Sequence, residues 1–121
     1  MTYKVYAGIQ KAHESPRDLE IRAISHITRQ LVEADQPQSD PIDRIKALNG
    51  NMRLWSLLTQ DLANPGNQLP DTIKANYIAL GRFVIRASLS SLVKRDSLKT
   101  LIQINMDVLE ALHQQQMACA A

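Results

Sequence analysis

Four times along this chain a helix start signal stands ahead of a run of apolar residues recurring at the helical period: Ser15-Pro16, Asp40-Pro41, Leu69-Pro70-Asp71 and Asp96-Ser97. A side-chain oxygen at such a position satisfies an otherwise orphaned amide, and a proline at the first helical position has no hydrogen bond to lose. The spacing predicts helices from Ser15 to about Asp35, Asp40 to about Ala63, Leu69 to about Lys94, and Ser97 to about Gln114. Asn64-Pro65-Gly66-Asn67 is a strong turn sequence, and Gln36-Pro37-Gln38-Ser39 is a short polar linker. Aromatic residues make up only 4% of the chain against 45% hydrophobic in all, which disfavours a sheet protein. The expected fold is all-α: one domain over residues 1–121, a small bundle of about four helices. Residues 1–13 are expected as a loosely held arm, flexible or partly helical, and residues 115–121 as a tail.

At about 100° per residue the first helix should bury Ala23, Ile24, Ile27 and Leu31, with Arg22, Ser25, His26 and Arg29 opposite. In the second, Ile45, Leu48, Met52, Trp55, Leu58 and Leu62 form one band that Leu54 widens to roughly half the circumference. The third has two stripes: Ile73, Tyr77, Leu80, Val84 and Ala87 on one side, Ile78, Ile85, Leu89 and Leu92 on another. Two apolar faces predict a central helix. The fourth has a stripe within about 120° of arc, formed by Leu98, Leu101, Ile102, Asn105, Val108, Leu109 and Leu112.

Several function classes lose support from what the chain contains. A net charge of +2, from fourteen basic and twelve acidic residues, is too mild to argue nucleic-acid binding. The single cysteine, Cys119, excludes an internal disulfide and fits a reducing compartment. No segment reaches the ~20 apolar residues of a membrane span, so the expectation is a cytoplasmic protein with no membrane partner. His13, His26 and His113 lie on separate elements without partners at ligand spacing, so no metal site is expected. Cys119 has no evident base, and Ser88, Ser90 and Ser91 sit in a helical run rather than a strained elbow. Gly66 and Gly81 form no phosphate loop, and Asp18 and Glu20 read as complements to a helix dipole. No catalytic residue, cofactor or small-molecule substrate is expected, and the chain is not read as an enzyme.

What remains points to binding. The apolar arc of the second helix is wider than one packing neighbour requires, and the chain's only tryptophan stands on it. Asn51 and Asn105 each lie on an apolar face, and two readings stay open. They are core amides bonded to backbone or to each other, or they present donors and acceptors to a partner beside Trp55. The candidate partner-binding set is Asn51, Arg53, Leu54, Trp55, Arg82, Ile85, Arg86, Leu89 and Asn105: apolar contact from Leu54, Trp55, Ile85 and Leu89, orientation from the two asparagines, and a charged rim from the arginines. Lys74, Arg82, Arg86, Lys94 and Arg95 form an acid-free basic run that suits phosphates or an acidic protein segment, with Phe83 the one aromatic nearby.

The landmarks Glu14-Ser15-Pro16-Arg17 with Glu20 and Arg22, Asn51-Met52-Arg53-Leu54-Trp55, Asn67-Gln68-Leu69-Pro70, and Leu101-Ile102-Gln103-Ile104-Asn105 with Leu109 and Leu112 occur here in one order and spacing. In them the chain resembles the bacterial flagellar biosynthesis regulator FlaF family, from about Tyr6 to Leu112. It departs from the pattern at Phe83, where tryptophan is expected before Val84, at Ala87 for a histidine, at Gln103 for an aspartate and at Ala111 for a glycine. The resemblance implies a non-enzymatic protein that binds flagellin as a chaperone-like partner and supports its synthesis and export for filament assembly. It implies as an alternative a post-transcriptional regulator acting on flagellin messenger RNA, directly or with the FlbT regulator. A homo-oligomer that buries the surplus stripes against itself is a third possibility.

Overall fold

Ser15 accepts a hydrogen bond from the Asp18 amide at 3.1 Å, and Pro16 follows as the first residue of α1 (Pro16–Ala34). Asp40 does the same for the Ile42 amide at 2.9 Å ahead of α2 (Pro41–Ala63). The third helix, α3 (Asp71–Val93), starts after Pro70 with no side-chain cap. At the start of α4 (Lys99–Ala120), Ser97 Oγ accepts from the Lys99 amide at 3.2 Å. Asp35, the residue that ends α1, reaches across to accept from the Leu98 amide at 2.9 Å. These elements come from a computed structural model that describes the backbone of residues 15–120 and the side chains of residues 15–114. The arm expected over residues 1–13 lies outside the described residues.

All described regular structure is helical, as the start signals require. The last helix runs past the expected Gln114 to Ala120, because Gln115-Gln116-Met117-Ala118 contains no glycine or proline to stop it. Its backbone therefore replaces the tail expected from residue 115.

Packing departs from expectation in which helix is central. The pair α2 and α3 is the most extensive, α1 packs on both α2 and α4, and α3 barely touches α4. The helices thus follow one another as α4, α1, α2, α3 in an arc that does not close. It is α1 and α2, not the doubly striped α3, that hold neighbours on two sides. The reason lies in the small residues between the two stripes of α3: Gly81, Ser88 and Ser91 form its buried line together with Val84 of the first stripe. A β-carbon at Gly81 would collide with Thr59 Cγ2 of α2 and stand 3.3 Å from Trp55 Cε3. The small seam admits α2 closely, and the two stripes flank that single contact.

The buried arc of α2 is Ala47, Leu48, Asn51, Leu54 and Trp55, turned by about 50° from the band its apolar residues alone describe. Ile45 is left 48% exposed. On α1, Ile21 and Thr28 join Ile24, Leu31 and Ala34 inside, while Ala23 is exposed and Ile27 half-buried. Thr28 is tolerated there because its hydroxyl donates to the Ile24 carbonyl at 2.6 Å, so no polar group is stranded. Leu98, just ahead of α4, and Leu101, Asn105 and Val108 within it are buried, all on the predicted stripe.

One end of the bundle is tied by Arg44 of α2. Its Nη2 donates to the carbonyls of Asp96 at 2.7 Å, Lys94 at 3.3 Å and Ser91 at 3.4 Å, fixing the α3–α4 connection. Ser91 Oγ donates to the Asp96 carboxylate at 3.0 Å in the same cluster.

Candidate functional site

At mid-height three helices are joined by a chain of hydrogen bonds that has no access to water. Trp55 Nε1 donates to Asn105 Oδ1 at 2.9 Å, Asn105 Nδ2 donates to Asn51 Oδ1 at 2.9 Å, and Asn51 Nδ2 donates to Ser88 Oγ at 3.2 Å. Ser88 Oγ ends the chain by donating to the Val84 carbonyl at 2.7 Å. All four side chains are at most 1% exposed. Of the two readings open for Asn51 and Asn105, the geometry realises the one in which they bond to each other. Neither they nor the indole N–H are free to meet a partner.

Toward the end opposite Arg44, where α3 and α4 part, an open cleft of about 700 Å³ remains among the described residues. Its walls are Ile73 and Tyr77 of α3 and Val108, Ala111 and Leu112 of α4. Leu58, Leu62 and the Trp55 ring of α2 form the floor, and Leu69 on the α2–α3 connection narrows one end. Trp55 thus works from both sides: its N–H is spent on Asn105, while its ring backs the cleft. The charged groups at the rim are Arg17, Glu20 and Asp61. Arg17 Nε stands 3.9 Å from Glu20 Oε2. Burial raises the Glu20 carboxyl above its ordinary value, the Asp61 charge adds to the rise, and Arg17 opposes it.

The sequence-derived binding set divides. Asn51, Leu54 and Asn105 are core residues away from the cleft, which corrects their assignment to a partner surface; Trp55 is buried too, and only its ring backs the cleft. Ile85 is half-buried, while Arg53, Arg82, Arg86 and Leu89 are exposed. None of those five lines the cleft. Arg53, and likewise Arg82 and Arg86, lie on the sides of their helices away from the buried arcs, so they make no rim around it. Of the basic run, only Arg82 and Arg86 share one outward face of α3.

The cleft residues carried a partial signal. Leu58 and Leu62 continue the α2 band beyond its buried stretch, and Ile73 and Tyr77 head one stripe of α3. The surplus apolar surface on α2 is real, but it sits one to two turns C-terminal to Asn51-Met52-Arg53-Leu54-Trp55. Among the described residues no group of three histidine, cysteine, aspartate or glutamate side chains could hold a metal, and no helix is long and apolar enough to cross a membrane.

A family model, flagellar protein FlaF, matches residues 2–112. The chain belongs to that family, and the protein is a flagellar one. No curated protein and no solved structure matches it.

Proposed function

We propose that this FlaF-family protein is a non-enzymatic, chaperone-like partner of flagellin, supporting its synthesis and export, and that the α3–α4 cleft is where it takes hold. The observation that carries this reading is the cleft itself: apolar walls on two helices that do not close on each other, above a floor locked by buried hydrogen bonds. Such a groove receives the apolar face of an amphipathic helix, the kind of segment that unpolymerised flagellin must keep from self-association before export.

Two exposed positions separate the cleft from the outer face of α3. Ile73 lines the cleft and is 40% exposed, whereas Leu89 lies outside it and is 57% exposed, so aspartate at either should leave the bundle folded. Titration of purified flagellin should show Ile73→Asp binding at least about tenfold more weakly, roughly the loss of one well-buried apolar contact. Leu89→Asp should bind as the parent does. The reverse result would move the site to the outer face of α3, where Arg82 and Arg86 stand. Contact with messenger RNA, alone or with the FlbT regulator, has only that two-arginine face in its favour and is the weaker reading.

A further inference from the structure

We propose that the outer groove between α2 and α3, on the side turned away from α1 and α4, docks an acidic amphipathic helix of another protein. The small line through Gly81 and Ser88 brings α2 and α3 close together, so the side chains next to that contact on its outward side become the walls of a shallow groove. At about 100° per residue, Ile45 and Met52 follow the α3-facing arc of α2 on that side, and Ile78, Ile85, Leu89 and Leu92, the second stripe of α3, run beside them. Leu89 is 57% exposed and Ile45 48%, and the other four are half-buried. From Ile78 to Leu92 the stripe extends about 20 Å, the length of a four-turn helix.

Charge selects the occupant. Arg53 of α2 and Arg82 and Arg86 of α3 border the groove, all three exposed and none with an ion-pair partner among the described residues. The acids of α2 are elsewhere: Asp43 and Asp61 lie about 160° round the helix from Ile45, on the side of α1. On α3 the one acid is Asp71, two turns before Ile78. An apolar stripe with arginines on both flanks matches a helix that carries glutamates or aspartates on either side of its own apolar face. A second copy of this chain seated on the same groove would set arginines against arginines. RNA would leave the apolar walls uncovered, and Phe83, the aromatic nearest Arg82, points to the other side of α3 and offers the groove no ring for stacking. None of the groove residues lines the α3–α4 cleft, so this assignment stands apart from the flagellin reading.

The test uses the full chain and a synthetic, fluorescently labelled peptide of about 18 residues, with leucines at helical spacing and glutamates on both flanks, titrated by anisotropy. The parent should bind it, more weakly as salt is raised, and should bind the same peptide with lysines for glutamates at least about tenfold less well. Leu89→Asp and, separately, Arg82→Glu/Arg86→Glu should each weaken the glutamate peptide at least about tenfold, with circular dichroism checking that helicity is kept. The arginine reversal should also gain affinity for the lysine peptide, an exchange that a merely unfolded variant would not show. Ile73→Asp, in the cleft, should bind the glutamate peptide as the parent does. No binding by the parent, equal binding of the two peptides, or a loss seen with Ile73→Asp and not with Leu89→Asp overturns the proposal. A parent dimer in light scattering that Leu89→Asp dissolves overturns it in favour of a second copy. Binding of a single-stranded RNA in place of the peptide, lost in Arg82→Glu/Arg86→Glu and kept in Leu89→Asp, overturns it in favour of nucleic acid.

Discussion

Asn51 holds two helices to its own by a single amide, accepting from Asn105 of α4 and donating to Ser88 of α3. Leucine at this position branches at the same carbon but is bulkier, and it would leave a donor and an acceptor buried without partners. Asn51→Leu should therefore lose about 2–4 kcal/mol in urea unfolding, since each stranded group costs about 1–3 kcal/mol. The two asparagines were readable from sequence as amides on apolar faces. Ser88 was not, because nothing marks a helical serine as buried until its neighbour across the interface is known. Trp55 was ambiguous for a related reason: an apolar ring with one donor has the same composition in a core as at an interface. Glu20 gives a pH signature at the cleft rim. Burial, aided by Asp61 and opposed by Arg17, makes the folded chain hold this proton to higher pH than the unfolded chain does. The group's contribution to stability is thus fully present below the ordinary carboxylate range and declines as pH rises through the raised value. Glu20→Gln should raise Tm slightly at neutral pH and leave it unchanged below about pH 4, as read by thermal melts at the two conditions.

The helices themselves were legible because proline, aspartate and serine act locally, each setting a start without help from the rest of the fold. Rotation about the helix axes was not. A pattern of apolar residues cannot register that Asn51, Thr28, Gly81, Ser88 and Ser91 occupy the buried arcs, and leaving them out turns α2 by about 50° and makes α3 look doubly faced. Glycine shows how much of this depends on the partner. At Gly81 a methyl group meets the stiff, branched Thr59 and the Trp55 ring, so α2 and α3 would have to separate. At Gly50 it meets only Ile27 Cδ1, at 2.9 Å, the far end of a half-buried chain that can swing aside. Alanine gains about 1 kcal/mol of helix propensity over glycine at either site. Gly81→Ala should nonetheless lose about 1–3 kcal/mol through overpacking, while Gly50→Ala should fall within about 0.5 kcal/mol of the parent. Chemical denaturation of the two variants side by side checks both.

The two ends of the bundle have opposite characters. Arg44, Asp35 and Asp96 knit one end together across all four helices, and the other opens between α3 and α4. The cleft was only half readable from sequence: its floor lies on the continued α2 band, but its existence depends on α3 and α4 failing to meet, which no single helix encodes. The long-range side-chain bonds share one more property. Those from Arg44 to the α3–α4 connection, from Asp35 to Leu98, and among Trp55, Asn105, Asn51 and Ser88 each run between the α1–α2 hairpin and the α3–α4 hairpin. The covalent link over residues 64–70 is therefore the least necessary of the connections between them. Two peptides, divided at Gly66 and expressed together, should find each other and co-purify as one helical species, with tryptophan fluorescence matching the uncut chain, and Asn51→Leu in the first peptide should abolish the reunion.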